Sequence, residues 1–292
     1  MIKLACIPAY NEESSIADVG SKTLQHVDKV IVCDDGSTDK TAEISKKAGA
    51  EIIQHKKNLG YGAAIISLFE KARQENAQIM ITLDGDGQHN PDQIPVLVDT
   101  LTQHNVDLVI GSRFLDKNSN SKGYRKTGIK IITSASNIGT DFKVTDAQSG
   151  FRSYSKKAIQ EINPTEKGMS VSTEILQKAS NKGLTLAEVP ISVSYHKDTS
   201  EQNPVPHGIL VLMNTLKFVS VKHPLPFYGF PGIALFIAGL VIGGIFLDAY
   251  LNEQTVFYGS LLAAIVLFLL GAILVTTSII LFSMSTLMRR NE

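Results

Sequence analysis

The chain has 292 residues, a formal net charge of zero and hydrophobic residues at 43%. That length fits one large domain or two smaller ones, and the even charge balance gives no support to nucleic-acid binding. Cys6 and Cys33 are its only cysteines, each inside a short apolar run, so no disulfide framework is expected and both thiols should be buried and reduced.

The opening MIKLACIPAY lacks a basic region followed by a long apolar stretch, so no signal peptide is expected. Strand-like and helix-like segments then alternate. KLACIP (3–8), KVIVCDD (29–35), AEIIQH (50–55), QIMITLD (78–84) and VDLVIGS (106–112) are short β-rich runs. TAEISKKAG (41–49), GAAIISLFEKARQEN (62–76) and PDQIPVLVDTLTQHN (91–105) are helical. Asn90 suits an N-cap, with Pro91 at the first helical position and Asp92 in the first turn. Such alternation predicts an α/β fold with a doubly wound, mostly parallel sheet, in which ligands collect beyond the carboxyl ends of the strands.

Polar clusters follow four of those strands: PAYNEE (8–13), DDGSTD (34–39), LDGDGQH (83–89) and GSRF (111–114). An EF-hand counted from Asp84 fails, because position 6 is His89 and position 12 is Pro95. What survives is D-x-D. In an extended strand Asp84 and Asp86 point to one side and are able to share a hard divalent cation, although a solvated turn has the same composition. A Walker A loop is rejected because Asp39, not Gly, precedes Lys40, and no G-x-G-x-x-G follows the first strand. Asp39 reads as a helix cap, and Asp34 and Asp35 have the same capping alternative; Tyr10 has packing as its alternative.

Toward the C-terminus the composition changes. Residues 227–247 and 255–288 are charge-free, each at least the roughly 20 residues that cross a bilayer, and they predict spans at about 227–247 and 256–282. Lys217 and Lys222 precede the first span and Arg289 and Arg290 follow the second, while the connecting DAYLNEQ (248–254) has no Lys or Arg. The positive-inside bias then places both chain ends and the preceding domain in the cytoplasm and the loop around Asn252 outside. In the juxtamembrane segment, residues 205–226, Ile209, Leu212, Met213, Leu216 and Val219 recur at helical spacing, consistent with an interfacial or a buried helix.

Taken in order, PAYNEE, DDGSTDKT, NLGYGAA (58–64), LDGDGQH, GSRF and DAQSGFRSYS (146–155) resemble the inverting glycosyltransferases of family 2, which have the GT-A fold. Within that family the likeness is to the polyprenyl-phosphate, or dolichyl-phosphate, sugar transferases. The resemblance covers about residues 1–195 and the membrane hairpin, and implies a catalytic domain over 1–204. It implies nucleotide-sugar contacts, to a UDP- or GDP-linked donor, from Pro8, Tyr10, Glu12, Asp34, Asp35, Asp84 and Arg113. It assigns Mg2+ or Mn2+ to Asp84, Asp86 and Gln88, anion binding to Arg113, Arg125 (in GYRKTG) and Arg152, and catalysis to Asp86 and those three arginines. Polyprenyl phosphate and the membrane are the implied partners, and the oligomeric state, homo-oligomer included, stays open.

Departures refine this expectation. Hydroxyl-accepting relatives carry an ED pair whose Asp is a general base, whereas this chain reads VSTEIL with Glu174 alone. A phosphate monoester, largely dianionic with a second pKa of about 6, needs no base; it needs cations. The processive-synthase Q-x-x-R-W signature is absent, as the chain has no Trp. The Gly-x-Ser-Lys stretch of the mannose synthase branch is replaced by SYHKDTSEQNPVPHG, in which Lys197 is the remaining cation and His196 and His207 read as interfacial. The expected activity is therefore sugar transfer to polyprenyl phosphate, against transfer to a hydroxyl or an inactive nucleotide-sugar scaffold.

Overall fold

The computed structural model describes residues 2–115, 133, 137, 140, 142–194, 220, 224–253 and 258–290, without the side chains of 253 and 285–290. Arg125, Lys126, Lys197, His196, His207, Lys217, Lys222 and the stretch 205–219 lie outside the described residues. The chain divides into two units, Met1–Met213 and Asn214–Glu292.

In the first unit a seven-stranded sheet forms from β1 (Lys3–Ala9), β2 (Lys29–Asp34), β3 (Glu51–Gln54), β4 (Ile79–Thr82), β5 (Leu108–Ser112), β6 (Arg152–Ser155) and β7 (Leu186–Pro190), in the order β3-β2-β1-β4-β6-β5-β7. Only β6 runs antiparallel, to both β4 and β5. All five strands read from sequence are present. So are the three helices, α2 (Thr41–Lys47), α3 (Tyr61–Gln74) and α4 (Ile94–Gln103). Asn90 Oδ1 accepts from Asp92 N at 3.1 Å, and the turn that it caps is a 3₁₀ turn, Pro91–Gln93, leading into α4. The additional elements are α1 (Ile16–Leu24), α5 (Lys156–Glu161), α6 (Val171–Asn181), β6 and β7.

Strand alternation sorts the core into two layers. From β1, Leu4 and Cys6 join α3, α5 and α6 through Leu68, Phe69, Ile159 and Leu176. Ala5 and Ile7 face the other way, onto Ile16 and Val19 of α1 and Leu97 and Leu101 of α4. Each fully buried Leu, Ile or Phe contributes about 1.5–3 kcal/mol relative to exposure. Cys6 and Cys33 lie in this core as free thiols, as expected, and burial pushes the Cys33 thiol up to about 12.

The chain leaves β1 toward β2 and β3, then returns to place β4 on the opposite side of β1. This reversal opens a crevice beyond the carboxyl ends of β1 and β4. PAYNEE and LDGDGQH are the segments that enter it.

The second unit contains α7 (Phe230–Glu253), preceded by a π-helical turn (Leu225–Gly229), and α8 (Tyr258–Arg290). Their contacts run antiparallel: Gly232 faces Val275 and Gly239 faces Phe268. Close approach requires glycine at 271, where a Cβ would lie 2.5 Å from Phe236 N. Ser278 Oγ donates to the Pro224 carbonyl at 3.1 Å and ties the entry turn to α8. Both helices are long and apolar enough to cross a membrane, and most of their large apolar side chains are exposed. Helix α7 continues through Glu253, so most of DAYLNEQ (248–254) is helical, and Asn252 Nδ2 donates to Asp248 Oδ1 at 2.7 Å one turn back.

Candidate active site

The loops after β1 and β2 are stitched into one wall. Asn11, at φ 56°, uses a left-handed conformation that Asn tolerates. Its Oδ1 accepts from Thr38 N at 2.8 Å and its N–H donates to Ser37 Oγ at 2.9 Å. Glu12 N donates to Thr41 Oγ1 at 2.8 Å. Asp39 Oδ1 accepts from Thr41 N at 2.9 Å from one residue ahead of the N-cap position, which Lys40 occupies, so Asp39 braces the start of α2 without being the N-cap expected of it. Pro8 is buried within β1, whereas the Tyr10 side chain is exposed at the crevice rim rather than packed in the core.

Glu12 reaches from this wall toward β4. Ser15 Oγ donates to Glu12 Oε2 at 3.2 Å and to the Gly85 carbonyl at 2.7 Å. Burial, and then the charge of Asp86, pushes the Glu12 carboxyl up to about 7.

Both aspartates after β2 hold the chain. Asp34 is fully buried; its Oδ1 accepts from Ser37 N and its Oδ2 from Gln54 Nε2, each at 3.0 Å. Asp35 Oδ1 accepts from His55 Nδ1 at 2.6 Å and Leu59 N at 3.0 Å, and its Oδ2 from Gly60 N at 2.8 Å. Asp35 thereby fixes the NLGYG turn and the start of α3. Neither is a simple helix cap.

Asp84 and Asp86 follow β4 into the crevice. Asp86 accepts Gln88 N on Oδ1 at 2.9 Å and Gln88 Nε2 on Oδ2 at 2.6 Å, so Gln88 braces Asp86. Asp84 Oδ1 accepts from the Tyr61 hydroxyl at 3.2 Å. Gly150 packs flush against it, where a Cβ would lie 2.7 Å from both carboxylate oxygens. On the remaining side His89 Nδ1 stands 3.8 Å from Asp84 Oδ2. His89 is 5% exposed, its ring stacks on Phe151 at 5.3 Å, and among the described residues Nδ1 has no hydrogen-bond partner. Leaving such an atom unpaired costs about 1–3 kcal/mol. Burial pushes the His89 imidazole down to about 4, so it is neutral near pH 7.

Burial raises the proton affinity of Asp84, against the lowering influence of Tyr61, Arg113 and Arg152. Burial and then the Asp84 charge raise that of Asp86. Two neighbouring carboxylates that hold protons more tightly than usual form a place where a divalent cation relieves repulsion. Their oxygen donors suit Mg2+ or Mn2+. Among the described residues no third His, Cys, Asp or Glu completes a cage, so the remaining ligands would come from substrate and water.

The arginines are more committed than their motifs suggest. Arg113 grips the fully buried Asp146 through Nε to Oδ2 at 2.7 Å and Nη2 to Oδ1 at 2.8 Å. Arg152, 2% exposed, bonds the carbonyls of Ser149, Ser172 and Ala147 through Nε, Nη1 and Nη2 at 2.8, 3.0 and 2.8 Å. It clamps the 147–149 turn to α6, and its charge is felt at Asp84 without direct contact.

Glu174, on α6, accepts the Thr165 hydroxyl at 2.6 Å, Thr165 N at 3.0 Å, Glu166 N at 2.9 Å and Lys178 Nζ at 2.9 Å. The loop it fixes supports α3: Lys167 O accepts from Ala63 N at 3.2 Å, and Gly62 packs on Glu166 O. Sequence reasoning missed Tyr61, Asp146 and this clamp. NLGYGAA and DAQSGFRSYS contained the first two, but only the fold places them beside Asp84 and Arg113.

The chain matches glycosyl transferase family 2 over residues 5–162. It is 32% identical over 217 residues to UDP-N-acetylglucosamine--dolichyl-phosphate N-acetylglucosaminyltransferase of Methanococcus voltae, covering 65% of this chain and 84% of that one. It is 26% identical over 214 residues to dolichyl-phosphate hexose transferase of Haloferax volcanii, covering 71% and 90%. Among solved structures, Mycobacterium tuberculosis glucosyl-3-phosphoglycerate synthase with Mn2+, uridine diphosphate and glucosyl-3-phosphoglycerate has a TM-score of 0.60 at 22% identity, covering 75% of this chain and 79% of that one. At that identity the likeness carries the fold, the GT-A architecture that the motifs imply.

Proposed function

Because the chain belongs to glycosyl transferase family 2, we propose that it is a membrane-anchored enzyme that moves a sugar, with inversion, from a UDP- or GDP-linked donor to a polyprenyl phosphate. The observation that carries the acceptor class is the employment of Glu174. The carboxylate nearest the position of a family base is spent on Thr165, Glu166 and Lys178. An acceptor that brings its own charged oxygen is the one that suits such a site. Relatives named for dolichyl-phosphate substrates support the same reading.

Pro8, Tyr10 and Glu12 would line the nucleoside side of the crevice, over the wall that Asp34 and Asp35 brace. Asp84 and Asp86 would hold Mg2+ or Mn2+, with Gln88 orienting Asp86. Bound there, the cation supplies Lewis-acid stabilisation of the departing diphosphate. The acceptor phosphate oxygen attacks the anomeric carbon from the face opposite the leaving group. Arg113 and Arg152 bias the crevice positive from within their own hydrogen-bond networks, and Arg125 is proposed to meet the acceptor phosphate. The hairpin would anchor the enzyme beside its lipid acceptor, with the catalytic domain and both termini cytoplasmic.

The test incubates membranes containing the protein with labelled nucleotide sugars and polyprenyl phosphates. Label should enter the organic phase only when polyprenyl phosphate, a divalent cation and the matching nucleotide sugar are all supplied. Label entering only glycan or alcohol products would overturn the acceptor assignment.

A further inference from the structure

The crevice contains a polar group that the proposed reaction leaves unused. His89 Nδ1 is buried, unpartnered among the described residues and turned to within 3.8 Å of Asp84 Oδ2. The other oxygen of the same carboxylate accepts the Tyr61 hydroxyl at 3.2 Å. Gly150 packs directly against both oxygens, leaving no room for a side chain there. We propose that Tyr61 and His89 are a pair of positioning residues that hold the Asp84 carboxylate from its two sides and set its plane for a divalent cation.

Each arm is itself fixed. Tyr61 is the first residue of α3, whose opening turn sits on the loop clamped by Glu174. The His89 ring lies on Phe151, and its backbone pairs with Val193 while Gln88 O accepts from Ser194 N at 3.0 Å. A carboxylate with one outer hydrogen bond can still swing about its bond to Cβ; with a second donor closing on Oδ2 and Gly150 packed against its oxygens, it keeps one orientation. In this account the imidazole carries its proton on Nδ1 and closes on Oδ2. A direct ligand role is disfavoured, since imidazole nitrogen matches Mg2+ and Mn2+ less well than oxygen does and the three side chains form no ready-made cage. Outer partners of metal ligands typically control about 10–100-fold in metal affinity.

This inference rests on the reading of Asp84 and Asp86 as metal carboxylates, and the experiment separates the two. Mn2+ alone is titrated into the full-length protein in detergent, and free Mn2+ is followed by electron paramagnetic resonance, with melting temperature recorded for every variant. Tyr61→Phe and His89→Leu should each weaken Mn2+ binding about tenfold or more. His89→Asn, whose amide nitrogen reaches the place of Nδ1, should bring it back to within about threefold of the parent protein by the same reasoning. At saturating Mn2+ the turnover number of Tyr61→Phe should recover while its half-saturating Mn2+ concentration stays raised. Asp86→Asn is the control. If Asp86→Asn loses Mn2+ while folded Tyr61→Phe and His89→Leu bind it normally, the positioning role is wrong and the metal site stands. If Asp86→Asn binds Mn2+ normally, the metal reading fails, and this inference with it.

Discussion

Glu174 accepts the Thr165 hydroxyl at 2.6 Å and the Thr165 amide at 3.0 Å, and so belongs to the scaffold beneath α3. Glu174→Gln should therefore keep transfer to polyprenyl phosphate within about tenfold of the parent rate, below the hundredfold or more typical of a lost general base. Initial rates at saturating donor and acceptor check this. Abolished turnover in a folded, donor-binding variant would make Glu174 the base and a hydroxyl the acceptor.

The same contact sets a pH dependence of stability. Burial raises the Glu174 pKa, but the bonds from Thr165, Glu166 and Lys178 outweigh it and leave the carboxyl below its ordinary value. A depressed folded pKa gives stability that is present above the unfolded value, about 4.3, and is lost as pH falls through the folded value. The melting temperature of Glu174→Gln should lie furthest below that of the parent near neutral pH, and the gap should close below about pH 4. A constant gap across this range would contradict the clamp.

Arg113→Ala should cost about 3–5 kcal/mol, because it leaves Asp146 buried and unpaired. Adding Asp146→Asn should recover part of that loss. Urea denaturation of the single and double variants measures both. An Arg113→Ala protein of unchanged stability that nevertheless fails to turn over would assign Arg113 directly to substrate.

How far the fold was legible depended on hydropathy. Strands β1, β2, β4 and β5 announce themselves as apolar runs because both of their faces are covered, and the edge strand β3 shows only the Ile52–Ile53 pair. Strand β6 reads RSYS and does not, yet it lies between β4 and β5, where Ser153 Oγ finds the Leu97 carbonyl and Arg152 finds three more. Its polarity is satisfied by tertiary contacts that no local pattern records. The site followed the same rule. D-x-D and its glycines form a contiguous signature, whereas Tyr61 meets Asp84 only through the crossover between β3 and β4. Arg113 and Arg152 were recognisable as residues of interest from their motifs, but their partners, Asp146 and the carbonyls of 147–172, set what they are free to do.

In the hairpin, Gly271→Leu should push α7 and α8 apart, since its Cβ would meet Phe236 N at 2.5 Å and Gly232 O at 2.7 Å. The expected loss is about 1–3 kcal/mol or more, the range of overpacked sites. Gly244→Leu, where nothing lies within 4 Å, is the control. Thermal unfolding in detergent micelles, followed by circular dichroism, should show a lower midpoint for the first variant alone.

The membrane orientation has its own test. A cysteine placed at Asn252 should react with an impermeant thiol reagent added outside intact cells, and one at the C-terminus should react only after lysis. The motive is the basic flanks and the Lys- and Arg-free connection. The opposite labelling pattern would reverse the topology.

The most direct measurement of the central claim compares two acceptors that differ by one group. Purified protein with Mn2+ and its matching nucleotide sugar is offered a polyprenyl phosphate or the corresponding polyprenol, and initial rates of lipid-linked product are recorded. The account predicts a product with the phosphate, none above background with the alcohol, and loss of that product in Asp86→Asn. Equal or faster transfer to the alcohol would contradict it.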